Sequence, residues 1–393
     1  MRKVAYNMGK QKKEKKIFKY LDIPLLIVTI FLFIVGLIMV FSSSNVTAYM
    51  SHAVSPYNYF FKQLVFLIFG LFLSLIMIRF NTKAYGMLSW LLLIVFSASL
   101  VVLLIYGKAV NKAVSWFDFG PFSLQPSEFI KVIIIIWMAR YYEVNEKKLN
   151  SYTTSFFPPL VASGIFVLIM LQPDLGTAII FAVIVFLIFN AAPISRAIKS
   201  KVIFAGIGLI AVVALVVMTT GGSLLQARQL SRFDYKNPCD RLLTTGSQVC
   251  NGYIAINNGG LTGVGLGNST QKYLYLPEPY TDFIYAIIVE ELGAIFGVVI
   301  LLLYLFILVR ILIIGRNSYT NRGALMCYGI AVYIILHITI NLLGLFGLMP
   351  LTGVPLPFMS YGGSFTICLI AALTIVQRVN IENKIRDNLK KSG

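Results

Sequence analysis

Charged side chains are scarce in this sequence of 393 residues. Asp, Glu, Lys and Arg together make up 12% of it, whereas a soluble domain averages roughly 25%. Apolar residues make up 58%, and the mean hydropathy is +0.83. Such a chain cannot bury its apolar surface in one aqueous core, so the composition predicts a protein that spans a lipid bilayer.

Histidine and cysteine are also rare. The two histidines lie far apart in sequence with no partner ligands nearby, so no zinc site is predicted. Cys327 and Cys368 fall in apolar segments and are expected to be small core residues. Cys239 and Cys250 lie in a polar segment predicted to be extracellular, where oxidation is permitted. The sequence is compatible with a disulfide between them and equally with two free thiols.

Two kinds of sequence motif are missing. The first twenty residues are too polar for the apolar region of a signal peptide, so the first apolar run is expected to be retained as a span. The K-T-G motif of penicillin-binding proteins is absent as well.

Apolar segments of about 20 residues are long enough to cross a bilayer. We predict ten spans: Asp22–Phe41, Tyr59–Ile78, Met87–Tyr106, Ser127–Tyr142, Phe156–Leu171, Gly176–Phe189, Val202–Thr219, Asp282–Leu312, Ala324–Leu345 and Ser364–Val376. With both termini inside, 24 of the 33 Lys and Arg residues are cytoplasmic. The predicted fold is an all-α polytopic membrane protein of one domain (21–378), with basic cytoplasmic tails at 1–20 and 379–393.

The net charge of +18 does not indicate a nucleic-acid partner. The positive charge is concentrated in the cytoplasmic segments, where it sets the topology and contacts anionic lipids. On the outer side, residues 220–281 form a large loop between helices 7 and 8, and we expect it to be ordered. Residues 347–363 are rich in Pro and Gly, so irregular backbone is expected there, enclosed by protein.

Asp282 is the strongest candidate for chemistry. It follows Pro277 and Pro279 on the outer side, and a helix predicted to begin near Asp282, with Thr281 as its cap, would favour the carboxylate form. Asp282 could then act as a general base, or it could be only a helix cap. Helical geometry leaves Glu290 able to line the same cavity and turns Glu291 away.

Other polar residues on the outer side are candidates for substrate binding. Glu128 and Lys131 form an i, i+3 pair, and either structural pairing or substrate contact would explain them. Asp174 fits either a helix cap or a substrate contact. Basic residues that oppose the positive-inside bias would suit a diphosphate. The complete candidate set is Lys112, Trp116, Gln125, Glu128, Lys131, Asp174, Arg228, Arg232, Lys272, Glu278, Ser360 and Gly362.

Four long motifs resemble the SEDS family (shape, elongation, division and sporulation proteins), whose members are the FtsW and RodA peptidoglycan polymerases. They are LQPSEFIK (Leu124–Lys131), QPDLGTA (Gln172–Ala178), NNGGLTGVGLGNSTQKYLYLPEPYTDFIYA (Asn257–Ala286) and MPLTGVPLPFMSYGGS (Met349–Ser364). Within the family, the NPCD…QVCNG loop and the PEPYTDF sequence are more similar to the division type, FtsW, of Gram-positive bacteria.

The resemblance implies a ten-helix glycosyltransferase that polymerises lipid II at the division septum, on the outer face of the cytoplasmic membrane. Asp282 matches the family's catalytic aspartate, the general base, and undecaprenyl diphosphate would leave with inversion. It also implies a divalent cation (Mg or Mn), for which the sequence has no motif. The implied partners are a class B penicillin-binding protein and other divisome proteins.

This sequence departs from the family pattern at some positions, and it is also compatible with other functions. Ser115 stands where the family usually has Arg, so a phosphate contact of that Arg cannot be transferred, and Tyr280 replaces a frequent His. The alternatives are a lipid II flippase, an elongation-type polymerase of the RodA kind and a non-catalytic scaffold for a transpeptidase.

Overall fold

Long α-helices account for most of the chain in the computed structural model, which describes residues 17–50, 54–106, 115–120, 122–204, 206, 237–241, 246–273 and 275–392. The helices are α1 (Ile23–Met50), α2 (Asn58–Met77), α3 (Thr82–Tyr106), α4 (Pro126–Val144), α5 (Tyr152–Met170), α6 (Leu175–Ala191), α7 (Ser247–Gly259), α8 (Ile284–Arg316), α9 (Asn321–Leu345) and α10 (Gly363–Ser392).

Among the described residues, seven helices are long and apolar enough to cross a membrane: α1, α2, α3, α5, α8, α9 and α10. Helix α6 is apolar but shorter. Helix α4, predicted as a span, is not among the seven, and it carries four charged residues. The count of ten spans stays a prediction, because most of the predicted span Val202–Thr219 lies outside the described residues.

The helices differ in how much apolar surface they bury. In its most apolar stretch, α10 buries 89% of its residues and α9 72%, whereas α2 buries only 11%. Helix α4 is almost entirely buried and packs against α3, α9, α6 and α10. An apolar face as exposed as that of α2 would be unfavourable in contact with water. The architecture is therefore that of helices around a protein core with lipid outside.

Two helices extend past their predicted ends. Helix α1 continues from Phe41 to Met50, and α10 continues from Val376 to Ser392, so the predicted basic tail at 379–393 begins inside a helix. The backbone of α10 is not interrupted because Val379 and Ile381 stay buried against the core. The hydropathy of the sequence indicates where the membrane-spanning part of a helix ends, but the helix itself can continue beyond that point.

Ion pairs lie at the end of the bundle predicted to be cytoplasmic. Asp22 pairs with Arg310, and the Glu143 carboxylate accepts hydrogen bonds from both Arg322 and Arg140. The pair of Asp22 and Arg310 connects the start of α1 with α8, and the pair of Glu143 and Arg322 connects α4 with α9. The pair of Glu143 and Arg140 joins adjacent turns of α4.

Helix α8 is broken near the end predicted to lie outside the cell (its outer end). Gly293 has φ 86° and ψ 164°, which only glycine adopts without strain. The backbone N–H groups of Val264 and Gly265 donate to the carbonyls of Glu290 and Glu291, at 2.9 and 3.0 Å. The outer segment 246–273 therefore supplies hydrogen bonds that the broken helix cannot make with itself.

Close backbone approach accompanies this break. A Cβ atom at Gly259 would lie 2.1 Å from the Val289 carbonyl oxygen, and one at Gly263 would lie 2.3 Å from the Glu291 carbonyl oxygen. Any larger residue at these two positions would push the segment off α8. The described part of the large loop is thus folded onto α8; order throughout 220–281 stays a prediction, since 207–236 and 242–245 are not described.

Two small features occur outside the long helices. A two-stranded antiparallel hairpin, β1 (Phe117–Asp118) and β2 (Ser123–Leu124), pairs Phe117 with Leu124 and adds strand to a fold predicted as all-α. Cys239, in a short 3₁₀ turn, is disulfide-bonded to Cys250 of α7. Of the two possibilities left open, the structure has the disulfide, and Cys327 and Cys368 are buried free thiols.

Candidate active site

Asp282 lies at the outer end of α8, two residues before the first helical residue, Ile284. Its side chain is half-buried. The helix begins near Asp282, as predicted, but the predicted cap by Thr281 is wrong: Phe283 occupies the cap position, with no capping hydrogen bond from its side chain. The Thr281 hydroxyl donates instead to the Glu278 carbonyl, at 2.9 Å, which closes the turn that precedes Asp282.

Side chains from α9 and the following segment fix the backbone at Asp282. The buried amide of Asn341 donates from Nδ2 to the Asp282 carbonyl at 3.0 Å and to the Val354 carbonyl at 2.9 Å. The Ser360 hydroxyl donates to the Thr281 carbonyl at 2.6 Å. These bonds join the irregular segment 347–362 to the turn that carries the aspartate.

Gly353 lies beside the Asp282 carboxylate. Its φ is +72°, and a Cβ built on it would lie 3.6 Å from Asp282 Oδ2. A side chain at this position would therefore touch the carboxylate.

Asp174 and Gln125 lie close to the same segment. Asp174 Oδ1 accepts from the Thr177 amide at 3.0 Å, so it caps α6, while its Oδ2 accepts from Gln125 Nε2 at 3.0 Å. A Cβ at Gly176 would lie 2.9 Å from the Thr352 side chain. The starts of α4, α6 and α8 thus converge on residues 352–354.

Glu128 and Lys131 form the predicted pair inside the protein. Lys131 Nζ lies 2.8 Å from Glu128 Oε1 and 3.0 Å from His337 Nε2, and all three side chains are buried. His337 Nδ1 lies 3.3 Å from the Pro355 carbonyl oxygen. Structural pairing is therefore present, and it also connects α4 and α9 to the irregular segment; a substrate contact stays a prediction.

Three tyrosines stand beside the turn that carries Asp282. The ring centroid of Tyr59 lies 4.5 Å from that of Tyr280 and 5.1 Å from that of Tyr361. Burial raises the pKa of Tyr280 and raises the pKa of Tyr361 to about 12, so both phenols are neutral at pH 7. Tyr280, which replaces the family's frequent histidine, offers aromatic packing here.

Ser360 and Gly362 hold the irregular segment in shape. Besides donating to Thr281, the Ser360 hydroxyl accepts from the Leu356 amide at 2.8 Å. The Gly362 amide donates to Gln63 Oε1 of α2 at 3.2 Å. Both predicted substrate-binding positions therefore have structural contacts, and substrate binding by them stays a prediction.

Lys272 is enclosed away from the outer surface. Its Nζ lies 3.0 Å from Glu291 Oε1, with the Lys272 side chain only 1% exposed. Glu290 accepts hydrogen bonds from the Thr270 amide at 3.1 Å and from the Ser269 hydroxyl. The idea that Glu290 lines the cavity near Asp282 is wrong, because the segment 269–271 occupies its carboxylate.

The remaining candidates are dispersed. Trp116 is half-buried just before β1, and Glu278 is exposed in the turn before Asp282, with φ 51°. Lys112, Arg228 and Arg232 lie outside the described residues. The proposed convergence of basic residues on a diphosphate therefore stays a prediction.

Sequence reasoning missed Asn341, Gly353 and Gln63. A polar residue within an apolar span was the available signal for Asn341 and Gln63, since such groups need a partner in lipid. His337 was considered only as a metal ligand. Nothing in the local sequence indicated that Gly353 would lie beside Asp282.

Comparisons with known proteins agree over nearly the whole chain. The family described as "Cell cycle protein" (FtsW, RodA and SpoVE) matches residues 23–385. The probable peptidoglycan glycosyltransferase FtsW of Bacillus subtilis is 37% identical over 383 residues, covering 96% of this chain and 94% of that protein. Stage V sporulation protein E of the same organism is 36% identical over 91% of this chain and 96% of its own length.

Solved structures have the same fold. A chain from a study of the structural coordination of polymerization and crosslinking by a peptidoglycan synthase complex aligns with TM-score 0.70 at 24% identity, over 92% of this chain and 98% of that one. The rod shape determining protein RodA of Thermus thermophilus aligns with TM-score 0.63 at 23% identity, over 92% of this chain and 96% of RodA.

Proposed function

Because this chain belongs to the FtsW, RodA and SpoVE family of cell cycle proteins, we propose that Asp282 is the general base of its reaction. The chain is a multi-pass membrane protein and a peptidoglycan glycosyltransferase of the FtsW type. The observation that supports the role of Asp282 is its half-buried carboxylate at the outer end of α8, with Gly353 beside it.

The proposed substrate is lipid II, as both donor and acceptor. Asp282 takes the proton from the 4-hydroxyl of the acceptor N-acetylglucosamine, and that oxygen bonds to the anomeric carbon of the donor N-acetylmuramic acid. The bond from that carbon to the diphosphate breaks with inversion, and undecaprenyl diphosphate leaves as an anion. No acid of raised pKa is needed for this leaving group, which fits a site with one base rather than two carboxylates flanking one bond.

Among the described residues, no ready-made cation site accompanies the aspartate. Within the described part of the chain, no three His, Cys, Asp or Glu side chains lie together. The residues present therefore do not form a metal centre, and no step is assigned to a cation. Dependence on Mg or Mn stays a prediction, which chelation and readdition in the same assay would test.

The decisive experiment measures glycan synthesis from purified lipid II. We expect D282N to reduce polymerisation at least about 10²-fold, because the amide cannot accept the proton. The control is D240N, which removes an exposed carboxylate of the short 3₁₀ turn that precedes α7. Full polymerisation by D282N, or equal loss in D240N, would overturn the proposal.

The proposed partner is a class B penicillin-binding protein, and the proposed place of action is the septum. The related structure concerns polymerisation and crosslinking by one synthase complex, and this chain lacks the K-T-G motif of transpeptidases. Co-purification with the transpeptidase, and imaging of a fluorescent fusion in dividing cells, would test both statements. Uniform labelling of the lateral wall would favour the elongation type instead.

A further inference from the structure

A groove opens between the first turns of α3 and the last turns of α4, far along α4 from Glu128. Its volume is about 330 Å³. Gly86, Met87 and Trp90 line it from α3, while Trp137 and Arg140 line it from α4. None of these residues takes part in the proposed transfer reaction, so the groove needs an explanation of its own.

The walls of the groove are apolar and aromatic. Trp90 and Trp137 stack with ring centroids 5.6 Å apart, and Trp90 is 45% exposed. Met87 is exposed beside them. Such a surface suits a hydrocarbon chain, and tryptophans of this kind are enriched where a membrane protein meets the lipid headgroups.

One end of the groove is positively charged. Arg140 Nη1 lies 3.2 Å from Glu143 Oε2, but the same oxygen also accepts from Arg322. Two guanidinium groups therefore share one carboxylate, which leaves one positive charge in surplus. A Cβ at Gly86 would lie 2.8 Å from Arg140 Cδ, so the glycine lets the arginine stem lie flat against α3.

The groove lies at the end of α3 and α4 that is rich in basic residues. Exposed Arg79 and Lys83 precede and begin α3, and exposed Lys147 and Lys148 follow α4. By the bias of basic residues, this end faces the cytoplasm. The groove thus lies at the inner leaflet, with its cation toward the headgroups and its indole rings toward the acyl chains.

We propose that this groove binds an anionic phospholipid of the inner leaflet, with the phosphate at Arg140 and an acyl chain along Trp90 and Trp137. Arginine forms charge-assisted hydrogen bonds to phosphate oxygens, and its aliphatic stem packs against apolar groups. Basic pockets between helices on the cytoplasmic side are suited to anionic headgroups. The inference is independent of the reaction at Asp282.

Native mass spectrometry of the full-length protein in detergent tests the inference, with phosphatidylglycerol and phosphatidylcholine as probes. We expect tighter binding of phosphatidylglycerol, and we expect R140Q to weaken it about tenfold, the loss of one charge-assisted contact. R140K should retain part of the affinity. R316Q is the matched control, because it removes an exposed arginine at the same end but outside the groove.

A second variant separates the groove from general charge. W90A removes an apolar wall at an exposed position, where folding should be unaffected, and it should weaken phosphatidylglycerol binding with every charge intact. Thermal unfolding checks the same point, since a lipid that binds only the folded protein raises the Tm. Equal binding of the two lipids, equal loss in R316Q, or unchanged binding in both R140Q and W90A would overturn the inference.

Discussion

At the scale of single residues, Asn341 has more influence on the active site than its place in an apolar helix suggests. Its amide bonds two carbonyls, one at Asp282 and one at Val354. In N341A the buried Val354 carbonyl and the partly buried Asp282 carbonyl each lose a partner, at a cost of up to about 1–3 kcal/mol for the buried one. We expect polymerisation from lipid II to fall by tenfold or more, a change of about 1.4 kcal/mol per factor of ten.

The matched control for this variant is N190A. Asn190 makes one hydrogen bond to the Phe186 carbonyl, at 3.0 Å, and is away from the site on α6. Its loss should leave synthesis unchanged. If N341A polymerised lipid II at the wild-type rate, Asn341 would not position Asp282.

Gly353 gives a second prediction at this scale. G353A forces alanine into the left-handed region, which costs about 1–2 kcal/mol, and puts a methyl group against the Asp282 carboxylate. We expect a loss of activity smaller than that of D282N. G164A, in α5, adds the same methyl group where nothing lies within 4 Å, and its activity should not change. Equal activities of G353A and G164A would contradict the prediction.

The sequence indicated some of these residues and not others. Asp282 stood out because a helix predicted to begin near it on the outer side would favour the carboxylate form, and the family motifs named it as well. Asn341 and Gly353 act through contacts with residues 59 and 71 positions away in sequence. Such contacts depend on tertiary packing, which no local pattern encodes.

At the scale of elements, the break in α8 depends on a buried ion pair. Lys272 of the outer segment meets Glu291 of α8, and the Ser42 hydroxyl of α1 donates to both Glu291 oxygens at 2.7 Å. In K272M the Glu291 charge stays buried without its cation, a cost of about 3–5 kcal/mol. We expect a clear fall in the Tm measured in detergent.

Replacing both partners provides the test of cause. K272M/E291L removes the two charges together, so no uncompensated charge remains, and the Tm should recover most of the loss. K148M, at an exposed position, should leave the Tm unchanged. A double variant as unstable as K272M alone would show that packing, and not the charge, was lost.

Element types were predictable from the sequence, and their ends were not. Apolar runs of sufficient length located α1, α2, α3, α5, α8 and α9, because lipid demands such runs. The extension of α10 and the break at Gly293 escaped notice for different reasons. Polar residues do not stop a helix by themselves, and a glycine in a helix reveals a break only when a neighbouring segment is seen to fill it.

At the scale of the whole molecule, the disulfide between Cys239 and Cys250 stabilises the outer layer. Closing a loop of eleven residues contributes roughly 2–3 kcal/mol in the chain-entropy model. A reductant should therefore make the outer segment of the wild-type protein more sensitive to limited proteolysis. C239S/C250S should show that sensitivity without reductant and no further change with it; a response of the double variant to reductant would show that the effect does not come from this disulfide.

The membrane class followed from composition, and the family from the motifs. The layered arrangement did not. Burial of α4 and α10 in the centre and exposure of α2 to lipid depend on which helix faces match, and an apolar helix gives little directional information when its whole circumference is apolar.

The hydrogen bonds between residues 260–265 and the two halves of α8 have a consequence for protein engineering. Excising the outer segment would leave the carbonyls of Glu290 and Glu291, and the amides of Ala294 and Ile295, without these partners. A shortened chain would then have to reseal α8 into a continuous helix, which would rotate the turn that bears Asp282. The segment is an integral part of the bundle, and it cannot be exchanged between relatives without its matching helix.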